Sequence, residues 1–271
     1  MTESGKKWLI GCSAAVFLMV LVLAAVVWGG VVLFKKAAAE IEELEDSSSA
    51  VTRQFGQASD FTPDPVEAIP AGRIEAFLAA REIMAPTRDE LVSSLAILDG
   101  GEGGKIGAGI RLLPRIFGFY EARNNACLEA GIGLGEYRYL YLLSFYNFLE
   151  KPVSAGPGFT LTGGSSAGGG PGTRASDFEV REDRREHVLS ASRNLALPIL
   201  RNQLSALEAA SGSEDWAGRL RQEISNLEAD PYRLPWRDGL PDRIAQSLEP
   251  YRERLEQSWN ELANPLEAGP L

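Results

Sequence analysis

Between positions 8 and 34 no residue is charged, and Leu, Val, Ile, Phe and Ala fall on every side of any helix drawn through the run. At about 1.5 Å of rise per residue such a helix spans roughly 40 Å, against a hydrocarbon core of about 30 Å. The pattern predicts one tilted transmembrane helix, whose backbone in lipid can bond only within itself. A cleavable leader has an apolar stretch of only about 7 to 15 residues followed by small residues. Here Lys35 and Lys36 intervene before Ala37, Ala38 and Ala39, so the segment reads as an uncleaved anchor. Lys6 and Lys7 before it nearly balance Lys35 and Lys36 after it under the positive-inside rule. The short tail 1–7 favours a cytoplasmic amino terminus and an extracytoplasmic remainder.

Past the anchor, Phe34, Ala37, Ile41, Leu44, Ser48, Val51 and Phe55 recur at steps of three and four. That heptad seam predicts a helical stalk over 35–58, with two outcomes open: a parallel coiled-coil homodimer, or a single helix docking on its own domain. Pro63, Pro65 and Pro70 make 59–70 an extended connection, because each proline biases its predecessor away from helix.

From 71 to 265 the periodicity is helical throughout and no stretch alternates as a strand does. One amphipathic helix carries Ile74, Phe77, Leu78 and Arg81, and Pro86 closes it. Thr87 and Glu90 match a capping box that opens the next, to about 98. Helices are expected at about 110–130 and 134–150, the second holding Tyr137, Tyr139, Tyr141, Phe145, Tyr146 and Phe148. Segment 152–176 is rich in Gly, Ser and Pro and reads as a flexible loop. Ser176 and Glu179 form a second capping box, opening a long helix to about 210 with Pro198 inside it. Ser213 caps another that stops before Pro231. A last helix over 241–263 aligns Ile244, Leu248, Tyr251, Leu255, Trp259 and Leu262, and 266–271 is a tail. The fold class is all-α: one bundle interrupted by one long loop.

Composition narrows the partners. The formal charge is -10, and it becomes more negative once the lysine-bearing anchor is set aside, so a nucleic-acid partner is excluded. Cys12 and Cys127 are the two cysteines. With Cys12 in the anchor, no disulfide can staple the helical domain, which must hold by packing.

Candidate chemistry is sparse. The glycines of 100–105 suggest a phosphate loop, but Asp99 and Ile106 stand where that motif needs Gly and Ser or Thr. Gly131, Gly133 and Gly135 miss the dinucleotide fingerprint at the last spacing and read as a flexible helix junction. Glu179, Asp183 and His187 recur every four residues, a ladder that could hold a divalent metal, although Arg181, Arg184 and Arg185 interleave as on a solvated face. Glu121 and Glu136 flank the junction near Tyr120 and Tyr137, where an apolar setting could make a glutamate a general acid for glycoside cleavage. The plainer reading makes Glu121 and Arg123, and Glu136 and Arg138, peripheral charges around a core helix. Likewise Tyr137, Tyr141, Phe145 and Phe148 form a stripe that reads first as core and second as a pocket wall. No cofactor motif emerges.

Phe61, Thr62 and Pro63 leading into Arg73, Ile74, Phe77, Leu78 and Arg81, with Cys127, Leu128, Ala130, Gly131, Glu136, Tyr137 and Arg138 further on, give the chain a likeness. It resembles uncharacterised bacterial single-pass membrane-anchored helical proteins, which implies an envelope setting and no activity. The expectation is a single-pass inner-membrane protein whose helical domain binds another envelope protein without catalysis. The alternative is an anchored wall hydrolase using a glutamate.

Overall fold

Helical periodicity carries through into structure: a computed structural model describes residues 43–99, 105–157 and 177–268, and no strand occurs among them. The chain divides into two compact units, Met1–Glu45 and Asp46–Leu271. No helix among the described residues is long and apolar enough to cross a membrane. The segment 8–34, expected to do so, lies outside them, as do the glycines 100–104 and most of the loop 152–176.

The larger unit begins with helical residues 46–55, here α1. Val51 is 1% exposed, and Asn124 Nδ2 donates to Ser47 Oγ at 3.1 Å, so this length of the expected stalk packs on its own unit. Gly56, at φ +82°, ends the helix in a backbone region that glycine enters freely. A 3-10 turn follows at Ala58–Asp60. Segment 61–70 is non-helical, as its prolines dictate, and its backbone is held by distant side chains. Gln203 Nε2 donates to the Asp64 carbonyl at 2.8 Å, and the Ile69 amide donates to Ser247 Oγ at 3.2 Å.

Helices α2 (Ala71–Ile83) and α3 (Ala85–Asp99) both pack on α4 (Lys105–Ala130). The break falls at Met84, two residues before Pro86. Pro86 sits in the first turn of α3, where its missing N–H removes no helical bond, and Thr87 and Glu90 lie inside the helix rather than capping it. After α4, Gly131 turns at φ +66°, then α5 runs Leu134–Tyr141 and widens into a π-helical stretch, Leu142–Phe148. There Leu149 N donates to the Ser144 carbonyl five residues back, at 3.0 Å.

The long helix α6 (Asp177–Ala209) contains Pro198 and pairs with α7 (Glu214–Ala229). Ser213 caps α7 as expected, its Oγ accepting from Trp216 N at 3.4 Å. The last helix departs most from its pattern. It divides into α8 (Asp242–Leu248), a 3-10 turn at Glu249–Tyr251, and α9 (Arg252–Ser258), because Pro250 removes a helical donor. A separate α10, Asn264–Ala268, runs from the expected end of the domain into the expected tail, and Asn264, Leu266, Glu267 and Ala268 are all buried.

The glycine junction is built for close approach rather than flexibility. A Cβ on Gly135 would stand 2.1 Å from the Ala58 carbonyl oxygen, and one on Gly133 would stand 2.9 Å from Phe55 Cβ. Only glycine lets the 3-10 turn and the end of α1 rest on α5.

Candidate functional site

Segment 61–70 spans α5, the π-helical stretch, α6 and α8, and leaves a cavity of about 140 Å³ beneath it. Phe61, Val66, Leu140 and Leu143 make its walls largely apolar, and Arg73 and Glu136 form a polar edge. A recess of about 60 Å³ adjoins it, sharing Phe61 and Glu136 and bounded by Gly133 and Gly135. Pockets for drug-sized ligands run to about 300–1,000 Å³. This one suits a single side chain or a very small molecule.

Glu136, the candidate acid, sits in a bidentate ion pair. Arg73 Nε donates to Oε1 at 2.6 Å, and Nη2 donates to Oε2 and, at 3.1 Å, to the Gly131 carbonyl. The bond to Glu136 raises the Arg73 pKa against the opposing effect of partial burial. Both carboxylate oxygens face a guanidinium, the opposite of the unpaired apolar setting that a general acid needs. Glu121 is half-buried on α4, with Asn125 Nδ2 donating to it at 3.5 Å, one helical turn away. Glu121 and Glu136 share no partner among the described residues.

Asp183 and His187 are exposed on α6, and the side chain of Glu179 lies outside the described residues. No group of three or more His, Cys, Asp or Glu side chains converges among the described residues. Cys127 is fully buried, and burial pushes its thiol up to about 12, so it holds no reactive thiolate at neutral pH.

The densest polar chemistry lies inside the core, where α2, α5, α9 and α10 meet. Arg81 on α2 pairs with Glu267 on α10, and its Nη1 also donates to Tyr137 Oη at 3.0 Å. Its Nε donates to Ser258 Oγ at 3.1 Å, and Nη2 to the Ser258 carbonyl. Its guanidinium carbon lies 4.7 Å from the Phe145 ring centroid. Burial opposes the Arg81 charge, but Glu267, Tyr137 and Tyr141 outweigh it and the pKa is raised. Alongside, Tyr141 and Tyr146 donate to Asn264 Oδ1 at 2.9 and 2.7 Å, and Asn264 Nδ2 donates to the Ala155 carbonyl at 3.0 Å.

The aromatic helix is therefore core, with Tyr137, Tyr141 and Phe145 at most 1% exposed and the two tyrosine hydroxyls satisfied from α2 and α10. The sequence places Arg81 on an amphipathic helix but marks neither it nor Glu267 as a site residue. One signal existed: Ile74, Phe77, Leu78 and Arg81 share a helical stripe, and an arginine on an apolar stripe needs a buried partner. Because Arg81, Glu267, Tyr137, Tyr141, Tyr146 and Asn264 are hydrogen-bonded to one another or to the backbone and are all buried, this cluster is an internal lock.

Comparison with models of known protein families, with curated proteins and with solved structures finds no match for this chain.

Proposed function

We propose that the chain is a non-catalytic, membrane-anchored binding module of the bacterial envelope. The segment 8–34 would hold it in the inner membrane, and the acidic helical unit would engage another envelope protein on the extracytoplasmic side. One observation carries the reading: the cavity under 61–70 is the size of one side chain, and the candidate acid in it, Glu136, is already paired in-chain with Arg73. Such a recess fits an apolar anchor residue of a partner, the kind that dominates binding energy at protein interfaces. It is too small to take the length of a wall glycan, and Arg73 already holds the candidate acid Glu136. Val66, 50% exposed, stands at the rim.

The full-length protein, extracted in detergent and affinity-purified, should carry a stoichiometric envelope protein identified by mass spectrometry. Val66→Glu should release it while leaving the helical circular dichroism unchanged. Release of soluble fragments from purified wall material by the wild type, abolished in Glu136→Gln, would replace this reading with the hydrolase.

A further inference from the structure

Two arginines at the α4–α5 junction, Arg123 buried and Arg138 half-buried, each carry guanidinium nitrogens that are sealed from solvent and find no hydrogen-bond partner. Arg123 on α4 is 2% exposed, and its Nε and Nη1 are sealed from solvent with no hydrogen-bond partner. Its guanidinium carbon lies 4.8 Å from the Tyr120 ring centroid. Arg138 on α5 is within its electrostatic reach, with Nε equally sealed and unbonded, while Nη2 donates to the Ala268 carbonyl at 3.3 Å.

Elsewhere in the unit Glu267 meets Arg81 and Glu223 meets Arg233, while the Ser154 and Pro157 carbonyls accept from Arg184. Among the described residues no carboxylate forms an ion pair with Arg123 or Arg138. Burial first, and the like charge of Arg123 second, push Arg138 down to about 10, so it stays charged at neutral pH in surroundings that oppose the charge. Tyr120 feels the counterpart: burial raises its pKa, and Arg123 and Arg138 both pull it back. An unpaired buried charge is strongly unfavourable, and two like charges together more so. Guanidinium groups, with several N–H donors in a planar fork, match the oxygens of carboxylates and phosphates.

We propose that Arg123 and Arg138 form a binding site for a small oxyanion, a phosphate or a carboxylate, flanked by the Tyr120 ring. At 2% exposure Arg123 excludes a macromolecular surface as its partner. The bound anion joins α4 to α5 and, through Arg138, to the carbonyl of Ala268 in α10. This site is independent of the binding-module reading and of the cavity under 61–70.

Thermal unfolding of the full-length protein in detergent, started in chloride, tests the assignment. Inorganic phosphate or acetate added at matched ionic strength should raise the midpoint by about 5 °C near saturation, and which of the two acts identifies the oxyanion. The rise should vanish in Arg123→Gln and Arg138→Gln and persist in Arg237→Gln, an exposed site. Should the glutamine variants fail to fold, Arg123→Lys keeps the charge but loses the fork, and should show a smaller rise than the wild type. No shift beyond that of chloride, or an equal shift in the wild type and both site variants, overturns the proposal.

Discussion

Arg81 and Glu267 stand 186 residues apart and form an ion pair in which each side chain is 1% exposed. The pair ties the second helix of the unit to its last one, so α10 closes the core. Removing either partner strands the other charge in a medium that cannot solvate it. Glu267→Ala or Arg81→Met should each destabilise the unit by about 3–5 kcal/mol, while Arg81→Met combined with Glu267→Leu should recover much of the loss. Urea unfolding followed by tryptophan fluorescence measures both; equal stability of the single variants and the wild type would refute the lock.

Asn264 accepts from two phenols at one oxygen. Asn264→Ala should cost about 1–3 kcal/mol for each hydroxyl left buried without an acceptor. Adding Tyr141→Phe and Tyr146→Phe should then be much less damaging than in the wild type. A double-mutant cycle in denaturant reads the coupling directly.

Gly135 and Gly118 should respond oppositely to the same methyl group. At Gly135 the new Cβ would meet the Ala58 carbonyl at 2.1 Å, so Gly135→Ala should cost about 1–3 kcal/mol and loosen the 3-10 turn. At Gly118, inside α4, nothing lies within 4 Å, and Gly118→Ala should be stabilising by about 0.5–1 kcal/mol. Thermal midpoints of the two variants check the sign, and hydrogen exchange at Ala58, Ser59 and Asp60 checks the location.

Cys127, buried with its thiol pushed up to about 12, should be almost inert. In a Cys12→Ser background, alkylation by iodoacetamide should be negligible in the folded protein at mildly alkaline pH and fast in denaturant. Because the shift is upward, raising the pH should speed the native reaction only as it approaches the shifted value. Rapid native labelling near neutrality would contradict the packing of α4 on α5.

The candidate site was half legible. Glu136 stands out in the sequence as an acid beside aromatics, and Phe61 and Arg73 belong to the residues of the resemblance. That Arg73 occupies both oxygens of Glu136 is a contact over 63 positions, which no local spacing encodes. Arg123 and Glu136, expected as peripheral charges, are buried; for Arg123 the signal was its place on one stripe with Ile116, Phe119, Tyr120 and Cys127. What neutralises such a charge is set by whichever segment arrives opposite.

Sequence by itself determined the elements whose causes are local. Period-three-and-four apolar spacing made the helices, Ser213 started α7, and the prolines kept 61–70 out of helix. Tertiary structure alone decided which charges are interior, why Gly133 and Gly135 must lack side chains, and that residues expected as a tail fill the core as α10. The reason is physical: a hydrophobic pattern records which face leaves water, whereas a buried charge is stabilised by a group that may come from anywhere in the chain. Arg81 could be read as misplaced from its own helix, but only the fold could supply Glu267.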